Sequence, residues 1–241
     1  MGAEAEVLFL HPVAMDHRSA DWLTLPPAII PDLPGHGGRA APRPGLTLDD
    51  IADEAAGWVR RPVHVIGALW GGTVALHLAL NHPGLVKSLF LAGSDPGAQQ
   101  SARTERARQI EAGDRMVQQT LERWFGAEAL QAPPSAPIAY ARRCLETTPL
   151  DSLAAAWRTM ASHDVTTRLG EITAPTTVLA GAYDAVHSVA DQVAFCESLP
   201  HSRLIQIPAH HMSLLDNPAA FSAAFRQHLA WASRPAPRAQ P

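Results

Sequence analysis

Residues 65–72, with the sequence VIGALWGG, constrain the fold more strongly than any other segment of the chain. A short apolar strand pattern leads into the segment, and an alanine- and leucine-rich helical pattern follows it from about residue 73. Gly67 and Gly71 flank a connection so tight that a Cβ atom at either position would strike the neighbouring strand or helix. The segment therefore predicts a buried strand, a sharp turn and a helix. Taken alone, the same spacing also fits an ordinary tight connection with no chemical role.

The rest of the chain alternates short apolar runs with helical patterns, which is typical of a mostly parallel sheet with helices on both faces. We predict an α/β fold with about six strands, at residues 7–10, 28–30, 63–66, 88–92, 176–180 and 203–207. The clearest predicted helices are 48–59, 73–80, 189–198 and 219–232. Thr47, followed by Asp49 and Asp50, supplies an N-cap and first-turn negative charge for the first of these helices.

The alternation stops between Pro96 and about His163, where arginine- and alanine-rich helical sequence carries no strand signal. In a doubly wound sheet, a helical insertion between two strands projects over the carboxyl ends of the strands, where ligands bind. We therefore predict a core formed by residues 1–96 and 164–233 and a helical lid at 97–163 that fixes which substrate is admitted. Residues 234–241 are predicted to form a flexible tail.

The 241 residues are 46% hydrophobic, which is enough for one large domain with a full core. A formal net charge of −4 gives no reason to expect nucleic acid or an anionic membrane surface as a partner. No apolar run approaches the roughly 20 residues needed to span a bilayer, and the N-terminus lacks a secretory signal pattern. Cys144 and Cys196 fit neither a disulfide framework nor a zinc site. We expect a cytoplasmic protein with a small-molecule substrate, and the sequence leaves its oligomeric state open.

Five segments resemble, in order, the sequence pattern of the α/β-hydrolase fold superfamily. Residues 8–13 resemble the turn that supplies an oxyanion-hole amide, residues 31–38 the D-x-P-G-H-G loop, and residues 65–72 the nucleophile turn. Residues 181–184 and 209–218 resemble the loops of the catalytic acid and histidine. Residues 121–125 and 162–165 in the predicted lid are similar to those of 3-oxoadipate enol-lactonases and their relatives. Because the first predicted strand begins close to Met1, the N-terminal strands of the family are expected to be reduced here.

The resemblance implies that Asp184 and His211 form the acid and histidine pair of this family. Each of the two follows a predicted strand. A carboxylate that accepts from the ring N–H fixes the tautomer, supports imidazolium formation and leaves the other ring nitrogen as a base. His211 is preferred to His210 because the residues that follow it match those after the family's histidine.

The resemblance also implies an oxyanion hole made by the backbone amides of Val13 and Trp70. Since this hole depends on backbone groups, it can persist without a serine. His11 is expected to contact the substrate. In the predicted lid, Arg123 and Trp124 either line the pocket, with Arg123 pairing a substrate carboxylate, or simply pack the helix onto the core.

Leu69 stands where the family pattern places a serine, cysteine or aspartate. Leucine cannot form an acyl-enzyme, so we assign no nucleophile. Its side chain is expected to point into the pocket from a strained backbone conformation with positive φ. Ser94 and Asp95 lie where some hydrolases place the catalytic acid, but Asp95 followed by Pro96 also reads as a turn.

Histidines are numerous, and His187, His210 and His211 with Asp184 form the one candidate metal cluster in the sequence. Adjacent histidines on a chain point apart and make poor co-ligands. We expect neither a metal nor a cofactor.

Three functions fit these observations. The first is an enzyme that acts on a small carbonyl, ester or lactone compound through general-base chemistry of His211 and Asp184, as a lyase, isomerase or cyclase or by water-mediated cleavage. The second is a catalytically inactive protein that binds a ligand or a partner. The third is an ordinary serine esterase or lactonase that carries a substitution at position 69. We favour the first, because the acid, the histidine and the turn glycines are all present.

Overall fold

In the computed structural model, which describes residues 6–97, 99–131 and 133–234, six strands form one sheet. They are β1 (Val7–Leu10), β2 (Ala28–Ile29), β3 (Val63–Ala68), β4 (Val86–Ala92), β5 (Thr176–Gly181) and β6 (Ser202–Ile207). Their order across the sheet is β2-β1-β3-β4-β5-β6, and each neighbouring pair is parallel. The predicted α/β class is therefore confirmed, and the described sheet is parallel throughout rather than mostly so.

The helices follow the predicted pattern closely. They are α1 (Leu48–Trp58), α2 (Trp70–Asn81), α3 (Gln100–Glu111), α4 (Val117–Phe125), α5 (Ala136–Thr147), α6 (Leu150–Ala161), α7 (Val189–Glu197), α8 (Ser213–Asp216) and α9 (Pro218–Ala232). The largest difference is at α2, which begins three residues before the predicted start because the turn enters the helix directly after Leu69. Within the part of the chain that the structure describes, no helix is long and apolar enough to cross a bilayer.

The first helix starts at the predicted cap. The Thr47 hydroxyl accepts the Asp50 backbone N–H at 3.1 Å, and the Asp50 carboxylate accepts the Thr47 backbone N–H at 2.9 Å. These two bonds form a capping box, which satisfies two of the amides that a helix leaves without intrahelical partners at its start.

Helices cover both faces of the sheet, as the alternation of side chains along β3 demonstrates. Gly67 faces α2, since a Cβ atom there would lie 2.6 Å from the Cα atom of Gly72. His64 points to the opposite face, because successive residues of a strand alternate. Its ring bonds to Ser88, which in turn bonds to His228 of α9. Helices α2 and α9 therefore lie on opposite faces.

Helices α3 to α6 connect β4 to β5 and are called the helical insertion below. Several side-chain bonds tie the insertion to the carboxyl-end side of the sheet, and two of them come from aromatic residues. The Tyr140 hydroxyl of α5 donates to the carboxylate of Asp16 at 2.9 Å, in the loop after β1. The Trp70 ring N–H at the start of α2 donates to the Thr159 hydroxyl of α6 at 3.0 Å. Of the predicted tail at 234–241, all but Arg234 lies outside the described residues.

Candidate active site

Leu69 occupies the sharp turn between β3 and α2 in a left-handed backbone conformation, with φ 51° and ψ −114°. Its amide donates to the Ala92 carbonyl at 2.8 Å, and its own carbonyl accepts the Gly72 amide at 2.9 Å. A Cβ atom at Gly71 would overlap the carbonyl oxygen of Leu10 on β1. Such a conformation costs a non-glycine residue about 1–3 kcal/mol. The surrounding strand and helix therefore hold position 69 in a strained geometry.

Asp184 and His211 meet at the carboxyl ends of β5 and β6. Nδ1 of His211 lies 2.9 Å from Oδ2 of Asp184, and both side chains are buried. Oδ1 of Asp184 accepts the backbone N–H groups of Val186 and His187 at 2.7 and 2.9 Å. Burial raises the pKa of Asp184, but the bonds from His211 and the two amides outweigh it and leave the pKa below its usual value. The ionised carboxylate only accepts, so Nδ1 of His211 carries the proton and Nε2 is available as a base.

The amide donors expected at Val13 and Trp70 belong to the same region. Both residues line one cavity together with Leu69 and His211. The amide of Trp70 is the first of α2, and the first amides of a helix have no acceptor within it. The partial positive charge of the helix N-terminus also favours an anion at this point.

His11 lies elsewhere than expected, because the structure encloses its side chain completely and does not place it along the cavity. Its Nε2 accepts the Leu33 amide at 2.8 Å, so Nδ1 carries the proton and donates to the Pro12 carbonyl at 2.8 Å. Burial, followed by the neighbouring ring of His36, lowers the pKa of His11 to about 3. With both nitrogens engaged by backbone groups, His11 joins the loop after β1 to the loop after β2.

The cavity has a volume of about 310 Å³ and lies between the carboxyl ends of the strands and the helical insertion. Tryptophan and methionine side chains form much of its apolar lining: Trp70, Trp124, Trp157, Met116 and Met160. A Cβ atom built on Gly93 would lie 3.2 Å from Cδ1 of Leu69 and 3.3 Å from Cε1 of His211. The leucine side chain therefore occupies the space beside the histidine ring.

A second histidine and aspartate pair lines the same cavity, and sequence reasoning did not recognise it. Nε2 of His187 lies 3.4 Å from Oδ2 of Asp95, and the ring centroids of His187 and His211 are 5.3 Å apart. Burial, followed by the charge of nearby His211, lowers the pKa of His187. Asp95 also forms an ion pair with Arg103 and accepts the Gly97 amide at 2.9 Å, as a turn aspartate does. The dipeptide of Asp95 and Pro96 predicted the turn. It could not predict that His187 approaches Asp95 from a loop almost a hundred residues further along the chain.

The other candidate nucleophiles have different roles. The Ser94 hydroxyl donates to the carbonyls of Leu69 and Ala92 at 3.3 and 3.2 Å. Cys144 is buried in α5, where burial raises the pKa of its thiol to about 11. Cys196 donates from its thiol to the Ser202 hydroxyl at 3.4 Å. None of these three is placed as a nucleophile for His211.

The helical insertion contributes cations to the cavity wall. Arg123 and Trp124, both predicted, line the cavity from α4, and Arg103 and Arg106 line it from α3. Trp124 is buried, while Arg123 lines the cavity and is also exposed to solvent. Arg106 is buried and was not singled out from the sequence, because its place among many arginines of a helical segment gives no local signal.

The candidate metal cluster is divided in the structure. His210 bonds to the carboxylate of Asp216 at 3.0 Å, whereas His211 turns to Asp184. A different group, formed by Asp16, His17 and Asp32, brings ligand atoms within 4.8 Å of one another near the surface. In that group Arg18 and Tyr140 engage Asp16, and His17 engages Asp32, so internal bonds account for its arrangement.

Comparisons with known proteins identify the family of this chain. A family model described as "Alpha/beta hydrolase family" matches residues 7–224. The pimeloyl-[acyl-carrier protein] methyl ester esterase of Chromobacterium violaceum is 31% identical over 210 residues, which cover 82% of this chain and 82% of the relative. The 3-oxoadipate enol-lactonase 2 of Acinetobacter baylyi is 26% identical over 200 residues, which cover 80% of this chain and 74% of the relative.

Solved structures give the same result for the fold. A hydrolase from Pseudomonas aeruginosa PA01 superposes with a TM-score of 0.87 at 26% identity, over 95% of this chain and 91% of the other. A thermophilic esterase from Thermogutta terrifontis superposes with a TM-score of 0.88 at 23% identity, over 97% and 92%. The overall fold is thus shared with these two solved structures.

Proposed function

Because the chain belongs to the alpha/beta hydrolase family, we propose that it is an enzyme that acts on a small carbonyl, ester or lactone compound without a serine nucleophile. His211 serves as the general base, Asp184 positions it, and the amides of Val13 and Trp70 stabilise a developing oxyanion. The observation that carries the proposal is the buried bond of 2.9 Å between His211 and Asp184. His211 lines a cavity that Leu69 also lines, from the position that the nucleophile has in the family pattern.

In water-mediated cleavage, Nε2 of His211 takes a proton from water as the water oxygen bonds to the carbonyl carbon. The carbonyl oxygen becomes an oxyanion opposite the amides of Val13 and Trp70. The imidazolium then gives its proton to the leaving oxygen as the bond between that oxygen and the acyl carbon breaks. In elimination or isomerisation, the same nitrogen takes a proton from carbon next to the carbonyl.

The neighbouring His187 and Asp95 favour proton-transfer reactions among these candidates. Elimination and isomerisation remove a proton from one atom and deliver one to another, so they benefit from two positioned groups. The two imidazole rings, with centroids 5.3 Å apart in one cavity, are arranged for such a division of roles. The helical insertion acts as the predicted lid, since its helices α3, α4 and α6 supply side chains to the cavity wall.

A panel of p-nitrophenyl acetate, δ-valerolactone and small β-hydroxy ketones tests the proposal. We expect His211→Ala to lower turnover by about 10²–10⁴-fold, the usual contribution of general-base catalysis. Full activity of His211→Ala on any compound that the unmodified protein turns over contradicts the proposal. Binding of a panel compound with no turnover favours a protein that only binds ligands.

A fluorophosphonate probe separates covalent from non-covalent chemistry. The unmodified protein is expected to give no adduct by intact mass, because position 69 has no hydroxyl. The Leu69→Ser variant is expected to form one adduct, since His211 and the oxyanion hole would then have a nucleophile to activate. An adduct on the unmodified protein that disappears in His211→Ala overturns the non-covalent mechanism.

A further inference from the structure

Arg106 is a buried cation in the cavity wall, and among the described residues no carboxylate forms a hydrogen bond or an ion pair with it. Its side chain is 8% exposed, and its guanidinium bonds to Met116 Sδ, to the Arg115 carbonyl and to the Thr120 hydroxyl. None of these partners carries a charge. The guanidinium also lies 5.7 Å from the ring centroid of Trp157. Since a buried charge is costly unless it is paired, this arginine lacks the partner that its position requires.

Arg123 adds a second positive charge to the same wall. Burial, followed by the charge of Arg123, lowers the pKa of Arg106 to about 10, so the two guanidinium groups sense each other. The charge of Asp114 acts in the opposite direction and raises the pKa of Arg106, but less than burial and Arg123 lower it. Two other charged groups of the cavity wall have partners of their own. Arg103 pairs with Asp95, and Glu105 lies 3.8 Å from Arg108. Two guanidinium groups against the one carboxylate of Asp114 therefore leave a net positive charge next to an apolar cavity.

We propose that Arg106 and Arg123 form a binding site for the carboxylate of a small substrate whose reacting carbonyl lies near His211. This inference rests on the proposed function for the position of the carbonyl, while the carboxylate site itself stands on the two arginines. Guanidinium groups bind carboxylates through paired N–H bonds, and Arg106 has five N–H donors of which its protein partners use three. The apolar tryptophan and methionine lining between the two ends suits a short hydrocarbon chain. The substrate class is thus a short carboxylic acid that carries a second carbonyl, ester or lactone group.

Calorimetric titration with hexanoate and with hexanamide tests the carboxylate site without any need for turnover. We expect hexanoate to bind at least 10-fold more tightly than hexanamide, and the difference to shrink as sodium chloride is raised. Arg106→Gln and Arg123→Gln should each remove most of this preference. Arg168→Gln is the matched control, because Arg168 is exposed and pairs with Glu171 outside the cavity. It should leave the preference unchanged.

Two further variants keep the outcome interpretable. If Arg106→Gln does not fold, Arg106→Lys takes its place, because it preserves the positive charge. It should keep part of the preference for hexanoate. His211→Ala should bind hexanoate as the unmodified protein does, so a loss of catalysis and a loss of the carboxylate site can be told apart.

Equal binding of hexanoate and hexanamide overturns the proposal, and so does an intact preference in both Arg106→Gln and Arg123→Gln. Inorganic phosphate serves as a third ligand. Tight binding of phosphate with no binding of hexanoate also overturns it, since the site would then select a phosphate rather than a carboxylate.

Discussion

At the scale of single residues, the turn at Leu69 depends on the absence of side chains at two neighbouring glycines. Gly67 and Gly71 have no Cβ atom, and for that reason β1, β3 and α2 approach closely enough to force position 69 into the left-handed region. The sharp turn could be predicted from the glycine spacing, and the positive φ of Leu69 from the resemblance to the nucleophile turn. His187 and Arg106 could not be predicted, because their importance comes from the approach of distant loops and helices and not from any local pattern.

The close approach at Gly71 leads to a stability prediction. In Gly71→Ala, the added Cβ atom overlaps the Leu10 carbonyl, so the backbone must shift. We expect the free energy of unfolding to fall by about 1–3 kcal/mol or more. Gly57→Ala is the matched control, since nothing lies within 4 Å of a Cβ atom there and the residue is in α1. It should stabilise the protein by roughly 0.5–1 kcal/mol in urea denaturation. Equal effects of the two substitutions would show that the turn is not tightly packed.

At the scale of elements, the strands and α9 are joined by a buried polar chain on the sheet face opposite α2. His64 of β3 bonds to Ser88 of β4 at 2.6 Å, and Ser88 bonds to His228 of α9 at 2.7 Å. The other ring nitrogen of His228 bonds to the Thr177 hydroxyl of β5 at 2.8 Å. The positions of these elements were predicted to within three residues, because hydrophobic periodicity is local. The polar chain was not, because it requires four elements to meet.

The two histidines of this buried polar chain make the stability of the protein depend on pH. Burial lowers the pKa of His228 to about 3 and that of His64 to about 4. Below about pH 6.5 these two histidines become protonated in the unfolded chain but stay neutral in the folded protein. The free energy of unfolding therefore falls as the pH drops from about 6.5 toward 4. Each fully linked histidine contributes a slope of about 1.4 kcal/mol per pH unit. In His228→Gln, the slope measured by urea denaturation between pH 6 and 4.5 should be shallower. An unchanged slope would mean that His228 is protonated in the folded protein.

At the scale of the whole molecule, the cavity exists because the helical insertion is fixed over the sheet. Trp70 and Thr159 join α2 to α6, and Tyr140 and Asp16 join α5 to the loop after β1. The insertion itself was predicted from the loss of strand signals after β4. Its contacts with the core were not predicted, since they depend on how the four helices fold over the strand ends.

The tyrosine contact gives the prediction at this scale. Tyr140→Phe removes the hydroxyl that donates to Asp16 and accepts its backbone N–H at 3.1 Å. We expect hydrogen exchange of the α5 amides to become faster, with exchange in β3 and β4 unchanged. Tyr183→Phe is the control, because Tyr183 is 59% exposed. Unchanged exchange in α5 after Tyr140→Phe would show that other contacts suffice to hold the insertion.

The order of the parts along the chain separates the proposed base from the proposed carboxylate site. Asp184 and His211 both follow the helical insertion in sequence, whereas Arg106 and Arg123 lie entirely within it. Substitutions confined to α3 and α4 are therefore expected to alter ligand preference while the strand ends that carry Asp184 and His211 stay as they are.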